Sequence, residues 1–243
     1  MSGGSGLLAI DQGTTSSRAI LFSPAGEILS LHQKELKLHY PQKGWVEQNA
    51  DDIWHDTLQM CRAAAGDAQA RGVSIAAAGI TNQRETTILW NRRTGRPVYH
   101  AIVWQDRRTA DLCARLKAAG HEETVSAKTG LLLDPYFSAT KIVWILENVP
   151  GARALAAAGD LAFGTVDCFL LWHLTGGKAH KTDITNASRT MLYNIVIQQW
   201  DDDLLALFDI PRALLPEVCD NTDSFGRLDP AMIGADCVIG GMA

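Results

Sequence analysis

The chain has 243 residues, 47% of them hydrophobic and 20% charged, with a formal net charge of −5. That composition suits one large core or two modest ones and excludes the disordered and fibrous classes. An acidic balance without a run of five like charges argues against nucleic acid or an anionic membrane as principal partner. No apolar stretch is long enough to span a membrane, so a small-molecule partner is expected.

Residues 1–6, MSGGSG, read as a flexible leader. Residues 7–22, LLAIDQGTTSSRAILF, predict a hairpin whose bend carries Asp11, Gly13, Thr14, Thr15, Ser16, Ser17 and Arg18. After the SPAG turn, residues 27–38 alternate as a third, antiparallel strand. Asn49 is placed as the cap of a helix with Ile53, Trp54, Thr57, Leu58 and Cys61 on one face, ending near Gly66 or Gly72. VSIAAAGI, residues 73–80, reads as a buried strand. TTILWN and VYHAIVW follow as strands around the RRTGRP turn, and residues 106–119 read as a helix with Leu112 and Leu116 inward. Ser138 is expected to cap a helix that Pro150 stops. Residues 161–176 predict a strand and a short helix, residues 188–196 a strand, and residues 203–208 a helix. Asp201, Asp202 and Asp203 read as the capping end of that helix rather than a cation site. ADCVIGGMA, residues 235–243, reads as a buried strand running into a glycine turn, a place where a chain rarely stops. The alternation predicts a mixed α/β sheet with helices on its faces.

Five cysteines, Cys61, Cys113, Cys168, Cys219 and Cys237, are odd in number and widely spaced, with no C-x-x-C pair. They predict buried reduced thiols in a cytoplasmic protein, and neither a disulfide framework nor a zinc site. The hairpin bend has a second reading besides an ordinary polar turn. Gly13 permits close approach, Thr14, Thr15 and Ser16 supply donors for phosphate, Arg18 offers a charged fork, and Asp11 could hold a hydrated Mg²⁺. Two further clusters follow strands: Asn82, Gln83, Arg84 and Glu85, and then Trp104, Gln105, Asp106 and Arg107. An adjacent Arg and Glu pair one strong donor with one strong acceptor, which suits a polyol; the plain alternative is a surface ion pair.

YFSATKIVWILEN, residues 136–148, together with DQGTTSSRA, GWVEQN, GITNQRETTI, AIVWQDRRT, FGTVD and TNASRTML, resembles the FGGY carbohydrate kinases in order and spacing. The resemblance implies an α/β domain of the actin-like ATPase, ribonuclease-H-like fold that uses ATP and Mg²⁺. It places Gly13, Thr14, Thr15, Ser16 and Arg18 at the nucleotide phosphates and Asp11 near the metal. Arg84, Glu85 and Tyr136 would hydrogen-bond substrate hydroxyls while Trp104 packs on the carbon face. Gln83-Arg84-Glu85 stands where related sugar kinases carry a Gln-Met-His-type motif, and this departure points to glycerol as the phosphoryl acceptor. Residues 7–243 are then expected to be an N-terminal domain, with the C-terminal FGGY domain absent and the general-base aspartate falling just after Ala243. On that reading the chain holds no catalytic base and is inactive alone. Another FGGY sugar kinase, or a non-catalytic domain binding a polyol or a protein partner, remain alternatives, and homo-oligomer formation is left open.

Overall fold

The computed structural model describes residues 4–243. The expected hairpin forms between β1 (Ser5–Gln12) and β2 (Ser16–Phe22), and β3 (Ile28–Glu35) extends it antiparallel. Ser5 already pairs with Ser74, and a Cβ on Gly6 would come within about 3 Å of Leu21 and Phe22. Ser5 and Gly6 therefore belong to the sheet and not to the leader assigned to residues 1–6; residues 1–3 of that leader lie outside the described residues. The two-residue β4 (Glu47–Gln48) leads into α1 (Ala50–Ala70), where the Asn49 side chain accepts the Asp51 N–H as expected. Gly66 lies inside this helix, and Gly72, at φ 66°, follows its end. The chain then returns as β5 (Ser74–Asn82), parallel to β1, which completes a βαβ crossover.

Next come β6 (Ile88–Asn91), β7 (Ala101–Ile102), α2 (Ala110–Ala118), α3 (Glu122–Thr129), α4 (Ser138–Asn148) and α5 (Ala152–Ala157). β8 (Leu161–Gly164) lies antiparallel to β6 and runs into α6 (Val166–Leu174). Then follow β9 (Lys181–Asp183), α7 (Ile184–Ala187), β10 (Tyr193–Asn194), β11 (Gln199–Trp200), α8 (Asp202–Phe208), β12 (Glu217–Cys219), β13 (Gly226–Arg227), α9 (Pro230–Ile233) and β14 (Val238–Met242). The main sheet has the order β13-β14-β5-β1-β2-β3, mixed in direction.

Period-two alternation puts Leu8, Ile10, Ala19, Ala78 and Ile80 in one core with Ile53, Trp54 and Cys61 of α1 and Phe169 and Leu170 of α6. The opposite face carries Leu7 and Leu31, both about half exposed. β5 is consequently buried on one side only, where a fully buried strand was expected. A second core gathers Leu89 of β6, Phe163 of β8, Ile142, Ile145 and Leu146 of α4, and Leu204 and Phe208 of α8. All five cysteines are buried and free. Among the described residues no helix is long and apolar enough to cross a membrane.

Four local expectations differ. Residues 106–109 precede α2 instead of starting it, because the Asp106 carboxylate accepts the Val46 and Arg108 N–H groups and holds the segment in turns. Ser138 is the first helical residue of α4, not its cap; its hydroxyl donates to the Glu85 carbonyl. Residues 188–196 are mostly turn, with Thr190 bonded back to Ala187 and Met191 at φ 63°, and only Tyr193–Asn194 extended. The glycines of β14 lie within the strand, at a register shift against β5, and not in a turn.

Candidate functional site

The bend between β1 and β2 exists because Gly13 N–H closes on Ser16 O at 2.9 Å. Its carbonyls point into the protein. Gln12 Nε2 donates to Gly13 O at 2.7 Å, and Gln48 Nε2 to Thr14 O at 2.7 Å. A trans peptide sets its N–H opposite its C=O, so inward carbonyls at residues 13 and 14 turn the Thr14 and Thr15 N–H groups outward. Neither has an acceptor among the described residues. Two outward N–H groups beside the exposed Thr15 and half-buried Thr14 side chains form a donor-rich edge of the kind that suits phosphate oxygens. Ser16 opens β2 and is buried.

Asp11 and Arg18 face each other across the hairpin, joined by Arg18 NH1 to Asp11 Oδ2 at 2.8 Å. The Arg18 Nε donates to Gln33 Oε1. Each group thus enters the site already charge-balanced by the other, with one carboxylate oxygen and part of one guanidinium still available. Among the described residues no three His, Cys, Asp or Glu side chains gather to hold a metal ion. A Mg²⁺ at Asp11 would fit as the hydrated, phosphate-carried ion that one carboxylate can support.

A cavity of about 450 Å³ is lined by Thr14, Gln83, Arg84, Glu85, Trp104, Tyr136 and Arg189. The structure therefore brings together residues far apart in sequence that were singled out separately: Thr14 from the bend, Arg84 and Glu85 after β5, Trp104 after β7, and Tyr136 before α4. Asp11, Gly13, Thr15, Ser16 and Arg18 do not line this cavity. Trp104 joins the two regions directly, its Nε1 donating to Thr14 Oγ1 at 2.9 Å, and its ring lies 5.4 Å from that of Tyr136. The Arg84 side chain is exposed and has no hydrogen-bonded or ion-paired partner among the described residues.

Glu85 is only 3% exposed and holds a left-handed backbone at φ 62°, a costly conformation for a residue with a side chain. Its neighbours over-determine it: Ser138 and Thr87 hydroxyls both donate to its carbonyl, and Arg189 Nε meets its Oε1 at 2.7 Å. Burial raises the Glu85 carboxyl above its ordinary pKa, with Arg189 pulling the other way. Glu85 is therefore no free surface acid paired with Arg84; its cation is Arg189, also 5.7 Å over the Tyr136 ring and 5.0 Å over Phe137. Sequence reasoning missed this arginine, although it lies within the quoted TNASRTML run; nothing in local spacing links it to residue 85.

Two further residues of the 136–148 run take visible roles. Lys141 is fully buried, and its Nζ donates to the Tyr136 and Phe137 carbonyls at 2.5 and 3.2 Å, which fixes the loop carrying Tyr136. Desolvation pulls its ammonium down to about 7. Trp144 lies 4.5 Å from the Arg108 guanidinium, which Trp45 also covers at 3.8 Å and which donates to Asp106 and Glu47. Asp106 thus anchors structure, accepting from the Val46 N–H and from Arg108, and does not line the cavity. A slightly larger cleft, about 490 Å³, lies between Lys178, Lys181, Arg227 and Asp236, where none of the sequence motifs falls.

The N-terminal domain of the FGGY family of carbohydrate kinases matches residues 7–238. The chain belongs to the FGGY family of carbohydrate kinases. Its fold is correspondingly the actin-like ATPase type, a mixed sheet with flanking helices. Among relatives, a glycerol kinase from Nitrosomonas eutropha is 65% identical over 98% of this chain and 48% of its own length. A second, from Pseudomonas aeruginosa, is 62% identical over the same shares. A Plasmodium falciparum glycerol kinase crystallised with ADP superposes with a TM-score of 0.93 at 32% identity, again over 98% of this chain and 48% of that one. A xylulose kinase from Rhodospirillum rubrum shares the fold at TM-score 0.89 and 22% identity, over 98% of this chain and 48% of that one. The chain spans about half the length of the curated FGGY relatives it matches.

Proposed function

We propose that residues 7–243 are the N-terminal domain of an ATP-dependent glycerol kinase, whose product is glycerol 3-phosphate. The observation that carries this reading is the convergence of Arg84, Glu85, Trp104 and Tyr136 on one cavity whose wall includes Thr14 of the bend. A three-carbon polyol needs both donors and acceptors and presents one carbon face. Arg84 donates, Glu85 accepts, the Tyr136 hydroxyl does either, and the Trp104 and Tyr136 rings cover carbon. Curated relatives at 58–65% identity that bear the name glycerol kinase support the same choice over other sugars.

In the proposed reaction a terminal hydroxyl oxygen of glycerol attacks the γ-phosphorus of ATP. The new O–P bond forms as the bond from that phosphorus to the β,γ-bridging oxygen breaks, and ADP leaves. The hydroxyl proton passes to a carboxylate, which the family resemblance assigns to an aspartate following Ala243. Within this chain the Thr14 and Thr15 N–H groups, the threonine hydroxyls and Arg18 hold phosphate oxygens as charge spreads over them. Mg²⁺, when bound, would offset phosphate charge, with Asp11 as its protein contact. Five buried free thiols agree with a reducing, cytoplasmic setting.

The test is ATP-dependent phosphorylation of glycerol, xylulose and gluconate by the full-length gene product carrying this chain. Glycerol is expected to be the preferred acceptor. Faster turnover of either sugar would transfer the chain to another FGGY branch, and binding of glycerol with no turnover of any acceptor would leave a non-catalytic polyol-binding domain.

A further inference from the structure

The inward carbonyls of the bend are satisfied by three buried glutamines from separate elements: Gln12 at the end of β1, Gln48 in β4 and Gln83 just past β5. Gln83 Nε2 donates to Gln48 Oε1 at 2.8 Å and to Gln12 Oε1 at 3.0 Å, and approaches Gly13 O at 3.3 Å. Gln83 Oε1 accepts the Thr86 hydroxyl, whose oxygen in turn accepts the Trp104 N–H at 3.3 Å. Gln12 and Gln48 spend their own amide nitrogens on Gly13 O and Thr14 O. Each carboxamide has a single workable orientation. Flipping Gln83 would set its oxygen against two other oxygens and the Gly13 carbonyl, an arrangement with no donor.

We propose that Gln12, Gln48 and Gln83 are positioning residues that aim the Thr14 and Thr15 N–H groups at phosphate and tie that aim to the wall of the polyol cavity. The inference rests on the phosphoryl-transfer reading above. Its physical basis is the trans peptide: whatever pins the carbonyl of residue 13 or 14 inward points the next N–H outward. A generic core would achieve burial more simply with apolar side chains, since every buried carboxamide must find partners or cost free energy. Here the carboxamide groups contact the two bend carbonyls, one another and Thr86, which lies against Trp104. Gln83 is also the residue before Arg84, so the same side chain that holds the bend anchors the start of the segment carrying Arg84 and Glu85.

The experiment uses Gln48→Met and Gln83→Met in the full-length gene product, variants close in volume that cannot donate to a carbonyl. For folded protein, Gln48→Met is expected to lower kcat about ten- to a hundredfold, the scale of a small misplacement of a preorganised group. It is also expected to raise KM for ATP and leave KM for glycerol within about twofold, since Gln48 does not line the polyol cavity. Gln83→Met is expected to raise both KM values along with the loss in kcat. A lowered Tm with wild-type kcat per folded molecule in both variants would overturn the proposal and leave the glutamines as packing. Should neither variant fold, the wild-type side-chain amides decide by NMR. Slow solvent exchange of all three carboxamides without ligand supports the pinned bend, whereas exchange as fast as that of the exposed Gln42 overturns it. Absence of glycerol phosphorylation by the wild type would instead defeat the functional reading, with the NMR result still reporting on the network.

Discussion

Arg189→Ala removes the cation that holds Glu85. The Arg189 Nε lies 2.7 Å from Glu85 Oε1, with the carboxylate side chain 4% exposed and the arginine side chain 34% exposed. Breaking a fully buried pair typically costs about 3–5 kcal/mol, because the remaining charge is left uncompensated. Water reaching the arginine side reduces this to the range of a hydrogen bond to a charged group, about 1.5–3 kcal/mol. If that cost falls on substrate binding, it corresponds to about a ten- to hundredfold loss in kcat/KM for glycerol. The sign of the accompanying pH effect also follows. Burial already raises the Glu85 carboxyl, and loss of Arg189 removes the main opposing influence, so its pKa climbs further. Over the acid-to-neutral range the variant holds no more ionised Glu85 than wild type does, and where Glu85 is titrating its glycerol KM should fall as pH rises, more steeply than in wild type. The assay is coupled glycerol phosphorylation across that range, with ATP KM measured in parallel. Wild-type kcat/KM for glycerol, or a KM that rises with pH, would refute the assignment of Arg189 as the partner that sets Glu85.

Thr14→Val keeps the shape of the bend and deletes the hydroxyl that Trp104 Nε1 bonds at 2.9 Å; kcat should fall about 10²-fold, and undiminished turnover would make the hairpin merely structural. Asp167, buried beside Asp183 with Thr165 and Thr182 as donors, is pushed up to about 6 by desolvation from a usual 3.8. The folded state therefore holds this proton more tightly, and its contribution to stability is full below about 3.8 and lost as pH rises through about 6. Asp167→Asn should gain on wild type over that window, by up to about 3 kcal/mol, as read by thermal unfolding at several pH values; a constant difference would contradict the assignment. Gly164→Ala would set a Cβ 2.7 Å from Cys168 Cβ and 2.9 Å from the Trp90 ring, and should cost about 1–3 kcal/mol in denaturant unfolding.

Much of the architecture is legible locally. The hairpin, the Asn49 cap, the α1 face and the β8 to α6 step all follow from periodicity and capping chemistry within a few residues. The misread segments are those where distant partners override local preference. Asp106 is drawn into turns by Val46, sixty residues away in sequence, and Ser138 leaves its capping role for the carbonyl of the strained Glu85. Residues 188–196 have strand-like composition, yet Thr190 closes back on Ala187. At the site, Arg84, Glu85 and Trp104 could be named from sequence because each follows a strand, while Tyr136 comes from the FGGY resemblance of the 136–148 run. The roles of Arg189 and of Gln12, Gln48 and Gln83 could not be read, although all four lie in quoted runs, since their significance lies in contacts across 104, 35 and 71 residues of sequence that no local spacing announces.

The most direct test is at Arg84, whose side chain is exposed in the cavity and makes no hydrogen bond or ion pair among the described residues. In the full-length gene product, Arg84→Ala should lower kcat/KM for glycerol by at least about a hundredfold, because the substrate oxygen it would meet is left without its charged donor. KM for ATP should stay within a few-fold of wild type, since the proposal assigns Arg84 to the acceptor hydroxyls and not to the phosphates. Wild-type glycerol kinetics in that variant would contradict the proposal that this cavity binds the phosphoryl acceptor.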